Sequence, residues 1–578
     1  MTRLRYLTAG ESHGPALVGI LEGLPAGLQV LAEQIDRDLA RRQLGYGRGG
    51  RMRIEKDQAE ILAGLRFGLT LGSPVALMVR NKDFANWTER MMAGLGGPDP
   101  RPVHVPRPGH ADLSGGLKYG HLADLRNVLE RASARETAIR VALGAVAKAL
   151  LAELGIQVGS YVRSIGGVEA AHAEDVCPDL LRSDAQALAF RADASETRAL
   201  DAESSERLAA RIQESMKRRD TVGGVVEVVA TGLPVGLGSH VQWDRKLDGR
   251  IAQAMASIPA IKAVEVGDGW LGAARFGSEV HDPIHRGADR LTRSSNHAGG
   301  TEGGVTNAEP LIARIAMKPI ATVSAALPSV DVHSLEPTPA HVERSDTCAV
   351  PAAGVVAEAV MALTLADALL EVLPGDTLAQ LRLPFAKLRL SHRFAPGQVF
   401  LLGPMGAGKS TVGAQVAQRM GRAFVDLDQR IEQRAGLSVQ ELFRTRGEPA
   451  FRALEAELLA EVARESPSVV ALGGGTPLTE DAWRTLREAG VTVRLQAGVA
   501  ELVKRLGTGR ALAERPLLAC GDPAARLEEL TSLRERWYAK ADLTVHTEGL
   551  SVEETTGAVL SLLREVEGPL SPIARRAP

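Results

Sequence analysis

Strand-like and helix-like patterns of apolar positions alternate along the first part of this chain. Through about residue 375, short strand-like apolar runs such as residues 225–230 alternate with helical runs such as residues 127–154. Gly155 follows that helical run where a C-cap glycine belongs, and Glu136 and Arg140 have the i,i+4 order that stabilises a helix. The pattern predicts a mixed α/β domain with one helix over residues 127–154.

Proline and glycine interrupt this pattern between residues 373 and 398. Pro374, Gly375, Pro384, Pro396 and Gly397 surround a basic stretch, which is typical of a linker. The last residues contain three prolines and two adjacent arginines without periodicity, which favours disorder. We therefore predict a first domain over residues 1–375, a linker over 376–397, a second domain over 398–567 and a disordered tail over 568–578.

Composition limits the kinds of partner. The 578 residues are 45% apolar and 24% charged with a formal net charge of −2, so no global field attracts nucleic acid or an acidic membrane. The three cysteines lie far apart, which argues against disulfides or a zinc site and favours a reducing compartment. The N-terminus lacks a signal-peptide core, and Glu358, Asp367 and Glu371 interrupt the apolar stretch 352–373. We expect a cytoplasmic protein without a membrane span.

A glycine-rich loop carries the strongest chemical signal. Residues 403–411 read Gly-Pro-Met-Gly-Ala-Gly-Lys-Ser-Thr and directly follow the apolar run 399–402, which places a loop between a predicted strand and a predicted helix. Its small residues let backbone N–H groups turn toward a β-phosphate, while Lys409 reaches the β and γ oxygens and Ser410 offers a hydroxyl to Mg²⁺. The loop predicts binding of ATP or GTP. The predicted phosphate-binding residues are Gly406, Ala407, Gly408, Lys409, Ser410 and Thr411.

Two carboxylates are predicted to face this loop. Residues 423–427 read as the second strand of the domain, and Asp426 and Asp428 project from one side at its end. We assign Asp426, with Ser410, to the hydrated Mg²⁺, and Asp428 to the proton of a substrate hydroxyl. Phosphoryl transfer needs metal positioning and an aligned nucleophile more than covalent chemistry.

Four further segments follow the loop in order. They are Arg-Gly-Glu-Pro-Ala-Phe-Arg at 446–452, three glycines at 473–475, Arg-Pro-Leu-Leu at 515–518, and Arg534 shortly before Tyr538. In this order and spacing, residues 396–550 resemble the shikimate kinase family. The resemblance implies a P-loop α/β fold with a parallel sheet, ATP and Mg²⁺ as cofactors, and shikimate as the substrate.

The same resemblance assigns the substrate contacts. Asp428, Arg452, Gly474 and Arg534 match positions that hold the hydroxyls and carboxylate of shikimate, and Arg515 matches a lid residue that closes over ATP. A guanidinium binds a carboxylate bidentately, and glycine lets a ring approach the backbone. Arg536 remains an alternative to Arg534, because this chain reads Arg-Glu-Arg-Trp-Tyr at 534–538 where relatives often carry proline.

Histidine and arginine concentrate in glycine-rich segments of the first domain. Gly-Glu-Ser-His-Gly at 10–14 follows a predicted strand, and Arg-Pro-Gly-His-Ala-Asp at 107–112 lies in a proline- and glycine-rich stretch. Imidazoles are common proton donors at such places, which makes His13 and His110 candidates. Basic residues able to bind phosphate are Arg41, Arg42, Arg48, Arg51, Arg53, Arg131 and Arg135, and the last two share a face of the predicted helix at i,i+4.

Three later segments are longer and more specific. They read Asn-His-Ala-Gly-Gly-Thr-Glu-Gly-Gly at 296–304, Met-Lys-Pro-Ile-Ala-Thr at 317–322 and Glu-Arg-Ser-Asp-Thr-Cys at 343–348. Together with the two histidine segments, they resemble the chorismate synthase family over residues 1–372. The resemblance implies a β-α-β sandwich, usually a homotetramer, that binds reduced FMN and 5-enolpyruvylshikimate-3-phosphate.

The implied reaction is an anti 1,4-elimination of the C3 phosphate and a C6 hydrogen, with no net redox change. By resemblance, His110 protonates the departing phosphate, His13 stabilises the reduced flavin by protonation, and Asp346 helps flavin N5 take the C6 proton. Other positions that match contacts to flavin or phosphate are Arg42, Arg48, Arg131, Ala132, Ser133, Gly303, Lys318, Pro319, Ile320, Ala321, Thr322 and Arg344. The sequence leaves open which of these arginines bind substrate rather than FMN.

The source of reduced flavin is also open. A dinucleotide-binding fingerprint is absent from the sequence, although flavin reduction by NADPH does not require one. We expect an external supply of reduced FMN.

Together the two resemblances predict a bifunctional shikimate-pathway enzyme. Two alternatives stay open at this point. The second domain could be a P-loop kinase for another small acid or polyol, and the first domain could be a flavin- and phosphate-binding scaffold without activity.

Overall fold

The computed structural model describes residues 3–49, 56–94, 99–287, 289–343, 345–394, 397–506 and 523–569. The chain divides into two compact units: Met1–Pro283 with Arg293–Leu378, and Ile284–Thr292 with Ala379–Pro578. The segment predicted as a linker contains a helix, Leu378–Leu390. Of the predicted tail, residues 570–578 lie outside the described residues. The domain limits derived from the sequence stay a prediction.

Two antiparallel sheets frame the first unit. The strand order of the four-stranded sheet is Arg5–Ala9, Ala16–Glu22, Val75–Arg80, Ala59–Ala63. The order of the five-stranded sheet is Ile261–Val266, Leu311–Met317, Gly224–Thr231, Gln157–Ile165, Val168–Glu169. Smaller sheets pair Val235–Gly238, Val305–Asn307 and Thr301–Glu302, Leu65–Arg66 with Leu69–Thr70, and Pro328–Val330 with Pro337–Pro339.

Two long helices fill the space between these sheets. Thr137–Glu153 packs on the four-stranded sheet, Val350–Val372 packs on the five-stranded sheet, and the two helices pack on each other. A Cβ on Gly144 would lie 2.3 Å from the Cβ of Ala359, so this crossing requires glycine. The layers form the β-α-β sandwich that the resemblance implied, which confirms that expectation. The remaining helices are Ala32–Gln43, Asp112–Tyr119, Arg126–Ala132, Ala173–Val176, Pro178–Ser183, Ala185–Asp193, Ala202–Lys217, Leu247–Ala256, Gly269–Ala273 and Gly277–Val280, with 3₁₀ turns at Lys82–Asn86, Ala134–Glu136 and Trp243–Arg245.

The Val350–Val372 helix is a core helix. Among the described residues it is the one helix long and apolar enough to cross a membrane, and 94% of its most apolar window is buried inside the protein. Its Glu358 is fully buried and lies 2.7 Å from both Arg41 and Lys148 and 3.1 Å from Arg198. Burial alone would raise the pKa of Glu358, but the three cations outweigh burial and hold this pKa below its ordinary value.

The single helix predicted over residues 127–154 is wrong, because the structure breaks it at Ser133. Ser133 is extended, with φ −65° and ψ 140°, and its hydroxyl accepts a hydrogen bond from the Arg135 N–H at 3.3 Å. Arg131 and Arg135 therefore do not share a face. Arg131 donates to the carbonyl of Thr8, whereas Arg135 is buried and donates to Asp57.

The second half of that prediction is confirmed. The helix Thr137–Glu153 ends before Gly155, which has φ +80°. Arg140 donates to Glu136 at 3.0 Å across one helical turn.

The second unit contains a five-stranded parallel sheet, as the P-loop resemblance predicted. Its strand order is Ala423–Asp426, Ser468–Ala471, Gln398–Leu402, Gly490–Gln496, Leu543–His546. Helices Lys409–Met420, Leu427–Ala435, Val439–Arg464, Glu480–Ala489, Val499–Leu506, Pro523–Tyr538 and Val552–Glu565 accompany it. A hairpin pairs Ile284–Arg286 with Leu291–Arg293, and its residues up to Thr292 belong to this unit.

The central position of strand Gln398–Leu402 in the sheet explains why residues 399–402 are all apolar. Val399 and Leu401 belong to one buried apolar cluster, and Phe400 and Leu402 belong to another. Both faces of this strand are therefore covered, which is typical of a central parallel strand. The strand ends directly at the glycine-rich loop.

Candidate active sites

A buried ion pair organises the histidine loop 107–112. Arg107 Nε donates to Asp112 Oδ2 at 2.9 Å, and the Arg107 backbone N–H donates to the same oxygen at 3.0 Å. Asp112 Oδ1 hydrogen-bonds to His110 Nδ1. Burial alone would raise the pKa of Asp112, but hydrogen bonds to His110 and Arg107 outweigh burial and hold this pKa well below its usual range. The loop thus presents a histidine backed by an ionised carboxylate.

Segment 318–322 lies against this loop. Arg107 Nη1 donates to Thr322 Oγ1 at 2.8 Å, and Lys318 Nζ donates to the carbonyl of Gly109. Ile320 accepts a hydrogen bond from Thr221 at 2.7 Å through its carbonyl. The structure therefore brings two segments together that are more than 200 residues apart in the sequence.

His13 is held by a carboxylate and an indole. Glu130 accepts from the His13 backbone N–H at 2.7 Å, and its Oε1 lies 2.9 Å from His13 Nδ1. The Trp87 ring stacks on the imidazole at 4.0 Å between centroids. Burial alone would raise the pKa of Glu130, but hydrogen bonds from His13 outweigh burial and lower it.

An ion-pair chain connects the surroundings of the two histidines. Arg126 Nη1 lies 3.4 Å from Glu130 and 2.6 Å from Glu343. Burial alone would raise the pKa of Glu343, but His341, Arg126 and Arg107 lower it to about 2. His13 and His110 therefore belong to one charged region of the first unit.

Asp346 pairs with a second predicted residue. Arg48 Nη1 lies 2.7 Å from Asp346 Oδ2, and the Gly49 N–H donates to Asp346 Oδ1 at 2.6 Å. Residues 50–55, which include Arg51 and Arg53, and Arg344 lie outside the described residues.

The other predicted first-unit residues are dispersed. Arg42 is buried and donates to Thr137 Oγ1 at 3.0 Å, while its buried Nη1 makes no hydrogen bond but lies 3.7 Å from Asp57 Oδ2. Burial and the nearby charge of Arg135 lower the pKa of Arg42 to about 9. Ser133 donates to Ser12 Oγ at 3.1 Å, Ala132 ends the preceding helix, and Gly303 occupies a turn beside His240. These positions are less tightly clustered than His110, Lys318 and Thr322.

The glycine-rich loop of the second unit joins strand Gln398–Leu402 to helix Lys409–Met420. Gly403, Gly406 and Gly408 have φ of 144°, 84° and 89°, conformations that favour glycine. Lys409 Nζ donates to the carbonyls of Gly403 at 2.9 Å and Pro404 at 3.1 Å. These bonds hold the lysine across its own loop, above the helix N-terminus where phosphate binds favourably.

The two predicted carboxylates lie at the end of strand Ala423–Asp426, beside this loop. Ser410 Oγ donates to Asp426 Oδ2 at 2.6 Å, so the proposed Mg²⁺ pair is in contact. Among the described residues, no group of three or more His, Cys, Asp and Glu side chains is arranged to hold a metal. A Mg²⁺ bound here would complete its octahedral shell with water and phosphate oxygens.

Asp428 has the electrostatics of a base. Loss of surrounding water and the neighbouring charge of Asp426 raise its pKa to about 6, and the Lys409 charge opposes this shift. A carboxylate with this pKa accepts a proton more readily than an ordinary aspartate does.

The glycine turn 473–475 gathers the predicted shikimate contacts. A Cβ on Gly473 would lie 2.8 Å from Asp428 Oδ1, and a Cβ on Gly475 would lie 2.4 Å from Arg452 Nη2. Arg534 Nη1 donates to the carbonyl of Gly474 at 3.2 Å. The structure thus places the predicted acid-binding groups around one short turn.

The geometry distinguishes the two candidate arginines near residue 535. Arg534 reaches the glycine turn, whereas the Arg536 guanidinium lies over the Trp537 ring at 5.2 Å. Arg515 falls within residues 507–522, outside the described residues.

Sequence reasoning missed several neighbours of these sites. Glu130 and Trp87 are remote in sequence from His13, and no local pattern signals either pairing. Glu455 is buried, lies 2.7 Å from Arg452 Nη1 and accepts from Thr476 Oγ1 at 2.6 Å. Its i,i+3 spacing from Arg452 on the helix was a usable signal.

Comparison with known proteins assigns families to both parts. Residues 4–370 match the family described as chorismate synthase, and residues 405–564 match the family described as shikimate kinase. The chorismate synthase of Geobacter sulfurreducens is 55% identical over 388 residues, which cover 66% of this chain and 96% of that protein.

Two solved structures are similar to separate parts of the chain. A crystal structure of chorismate synthase is 45% identical, with a TM-score of 0.53, and covers 67% of this chain and 97% of its own. A shikimate kinase from Acinetobacter baumannii in complex with shikimate is 28% identical, with a TM-score of 0.29, and covers 32% of this chain and 97% of its own.

Proposed function

Because the chain belongs to the chorismate synthase family over residues 4–370 and carries a shikimate kinase domain over residues 405–564, we propose that it catalyses two reactions. The first unit eliminates phosphate from 5-enolpyruvylshikimate-3-phosphate to give chorismate. The second unit transfers phosphate from ATP to the 3-hydroxyl of shikimate. The grouping of His110, Lys318 and Thr322 carries the first assignment, and the grouping of Asp428, Arg452 and Arg534 carries the second.

In the elimination, His110 protonates the departing phosphate while Lys318 and neighbouring arginines compensate its charge. His13, held by Glu130, is the second proton-holding group. Asp346, fixed by Arg48 and the Gly49 N–H, provides a carboxylate on the path of the C6 proton. The elimination removes one proton and one phosphate, so these residues supply acid–base and anion-binding chemistry.

The first unit's cationic residues fit reduced FMN. Arg42 Nη1 is buried without a hydrogen bond and has Asp57 Oδ2 at 3.7 Å, and the pKa of Arg42 is lowered despite this ion pair, so a further bound anion would help to offset the cost of the buried charge. Arg131 and Arg48 are further candidates for the flavin phosphate. Held by these residues, reduced FMN would supply reversible electron transfer and would be regenerated, because the reaction has no net redox change.

In the kinase, Lys409 and the loop N–H groups would hold the ATP phosphates, and Ser410 with Asp426 would hold Mg²⁺. Asp428 accepts the proton of the shikimate hydroxyl, and its pKa of about 6 leaves it ionised at neutral pH. Arg452 and Arg534 bind the shikimate carboxylate beside the glycine turn.

An anaerobic assay tests the elimination. The full chain is given 5-enolpyruvylshikimate-3-phosphate with chemically reduced FMN, beside an identical reaction with oxidised FMN, and chorismate absorbance is followed. We expect chorismate only with reduced flavin. Folded protein that binds FMN but forms no chorismate in either reaction would contradict the proposal.

A substrate panel tests the kinase. ADP release is measured with shikimate, other small acids and polyols, and nucleoside monophosphates. We expect shikimate to have the highest kcat/KM. A higher value for another acceptor would instead identify a P-loop kinase of different specificity.

Assembly and location follow from the family resemblance. We propose a homotetramer formed through the first unit, located in the cytoplasm and supplied with reduced FMN from outside. Sedimentation of the full chain tests the tetramer, and an assay with NADPH and oxidised FMN tests the external supply of reductant. An enolpyruvyl transfer separates the two reactions, so we expect no direct transfer of product between them.

A further inference from the structure

Asp112 connects the imidazole of His110 to a guanidinium. The carboxylate is fully buried, and Arg107 donates to it through Nε at 2.9 Å and through Nη2 at 3.2 Å. Its Oδ1 faces His110 Nδ1. An arginine only donates hydrogen bonds, so both of its contacts stabilise the ionised carboxylate.

An ionised carboxylate only accepts hydrogen bonds. His110 Nδ1 must therefore carry a proton when it faces Asp112 Oδ1. In the imidazolium, the second proton is on Nε2, the other ring nitrogen. Nε2 is then the atom that gives up a proton.

The surrounding structure prevents Asp112 from turning away. Arg107 is also anchored to Thr322, and Lys318 is anchored to the Gly109 carbonyl of the same loop. Arg107 Nη2 lies 3.1 Å from His110 Nδ1 and 3.4 Å from His110 Nε2. Because an Nδ1 that donates to Asp112 cannot also accept from Arg107, this contact brings the positive charge of Arg107 close to the imidazole without a hydrogen bond to Nδ1. The Asp112 carboxylate compensates this charge at close range.

We propose that Asp112 is a positioning residue for the elimination: it holds the Nδ1 proton of His110, so that the proton given to the departing phosphate leaves from Nε2. This inference rests on the proposed function of His110 as the acid. Asp112 itself does not touch the substrate.

Asp112→Asn tests the inference with nearly unchanged shape. The Arg107 donors attract the single amide oxygen, which turns the amide NH₂ toward His110 Nδ1. Nδ1 must then accept, the neutral ring carries its proton on Nε2, and the imidazolium is disfavoured. We expect kcat for chorismate formation to fall by at least about 10²-fold, by analogy with other carboxylate-oriented histidines. KM for 5-enolpyruvylshikimate-3-phosphate should change by less than about threefold, because a positioning residue acts on chemistry rather than binding.

Asp38→Asn is the matched control. Asp38 is also buried and ion-paired, with Arg41 at 3.0 Å and Lys148 at 2.8 Å, so its ion pairs are with these cations and not with His110. We expect the control to lose thermal stability and to keep the wild-type kcat.

A ¹⁵N NMR measurement separates positioning from a general structural role. The full chain is labelled at histidine, and the His110 signal is assigned by its loss in His110→Gln. In the wild type, the neutral ring should carry its proton on Nδ1; in Asp112→Asn it should carry it on Nε2. The wild-type measurement needs the folded His110→Gln protein for the assignment, but it does not depend on the folding of Asp112→Asn.

Two results would overturn the inference: an Nε2-protonated neutral ring in the wild type, or a wild-type kcat in Asp112→Asn. If wild-type protein forms no chorismate at all, the proposed function fails instead. The NMR result still tests the contact with Asp112 in that case.

Discussion

The guanidinium of Arg452 lies so close to Gly475 that a Cβ on residue 475 would be 2.4 Å from Nη2. Gly475→Ala must therefore displace this arginine from the turn. We expect KM for shikimate to rise roughly ten- to a hundredfold, as for the loss of one charge-assisted hydrogen bond. Gly557→Ala is the control, because its Cβ would meet nothing within 4 Å. An unchanged KM in Gly475→Ala would exclude Arg452 as a carboxylate ligand.

The kinase reaction should lose rate in mild acid. The pKa of Asp428 is raised to about 6, so the ionised base predominates above this pH and disappears as the pH falls through it. The expected profile of kcat bends near pH 6, well above the range of an ordinary aspartate. A rate that stays constant to about pH 5 would contradict the role of Asp428 as the base.

The Asp428 carboxylate should make the free energy of unfolding fall as the pH rises, whereas kcat rises with pH. Its folded pKa is above the unfolded value of 3.8, so its stabilising contribution is present below that value and is lost as the pH rises through about 6. Urea unfolding of the wild type and Asp428→Asn, compared across this interval, isolates the effect. We expect the variant to gain stability relative to the wild type as the pH rises. A constant difference between the two proteins would contradict the shifted pKa.

One substitution should remove a single activity. Lys409 holds its own phosphate loop, and Lys409→Met should lower kcat for shikimate phosphorylation by at least about 10²-fold, as for other lost donors to transition-state charge. Chorismate formation by the same preparation should not change. Lys504→Met, at a lysine whose side chain is 81% exposed, is the control. Loss of both activities in Lys409→Met would indicate that the two units depend on each other.

Glu358 should be a major determinant of first-unit stability. Glu358→Gln removes the buried negative charge that compensates Arg41, Lys148 and Arg198. Removing one partner of a buried ion pair lowers the free energy of unfolding by roughly 3–5 kcal/mol. Because the folded pKa of Glu358 is depressed, its contribution is present above the unfolded pKa of 4.5 and is lost progressively as the pH falls from there through the lower folded pKa. Chemical unfolding of both proteins at neutral and acid pH measures the difference. Equal unfolding free energies at neutral pH would contradict this role.

The sequence predicted the second unit well because its signals are local. The apolar run before the loop, the glycines of the loop and the two aspartates after the next strand lie within about 30 residues of each other, and parallel strands place their ends at one edge of the sheet. The ordered motifs then identified the family. The fold class of both units is confirmed, and the roles of individual site residues stay predictions.

The limits of sequence reasoning are visible at Ser133 and Glu130. The helical periodicity continues through Ser133, yet the serine hydroxyl caps a new turn and Arg135 turns inward to Asp57. Glu130 reads as an ordinary helix-surface charge, but tertiary packing buries it and pairs it with His13, 117 residues away. Local patterns contain no information on such partners, because long-range packing selects them.

The placement of the Val350–Val372 helix has a consequence for synthesis of the chain. This helix is the last long element of the first unit to leave the ribosome, and it fills the space between sheets whose strands were made earlier. Its Asp367 also accepts hydrogen bonds from the backbone N–H groups of Arg3 and Leu4. The start of the first strand therefore gains these hydrogen bonds only after the last helix has been synthesised. Folding of the first unit therefore finishes only after translation has passed its final helix, and until then the apolar sheet surface that this helix covers stays exposed in the nascent chain.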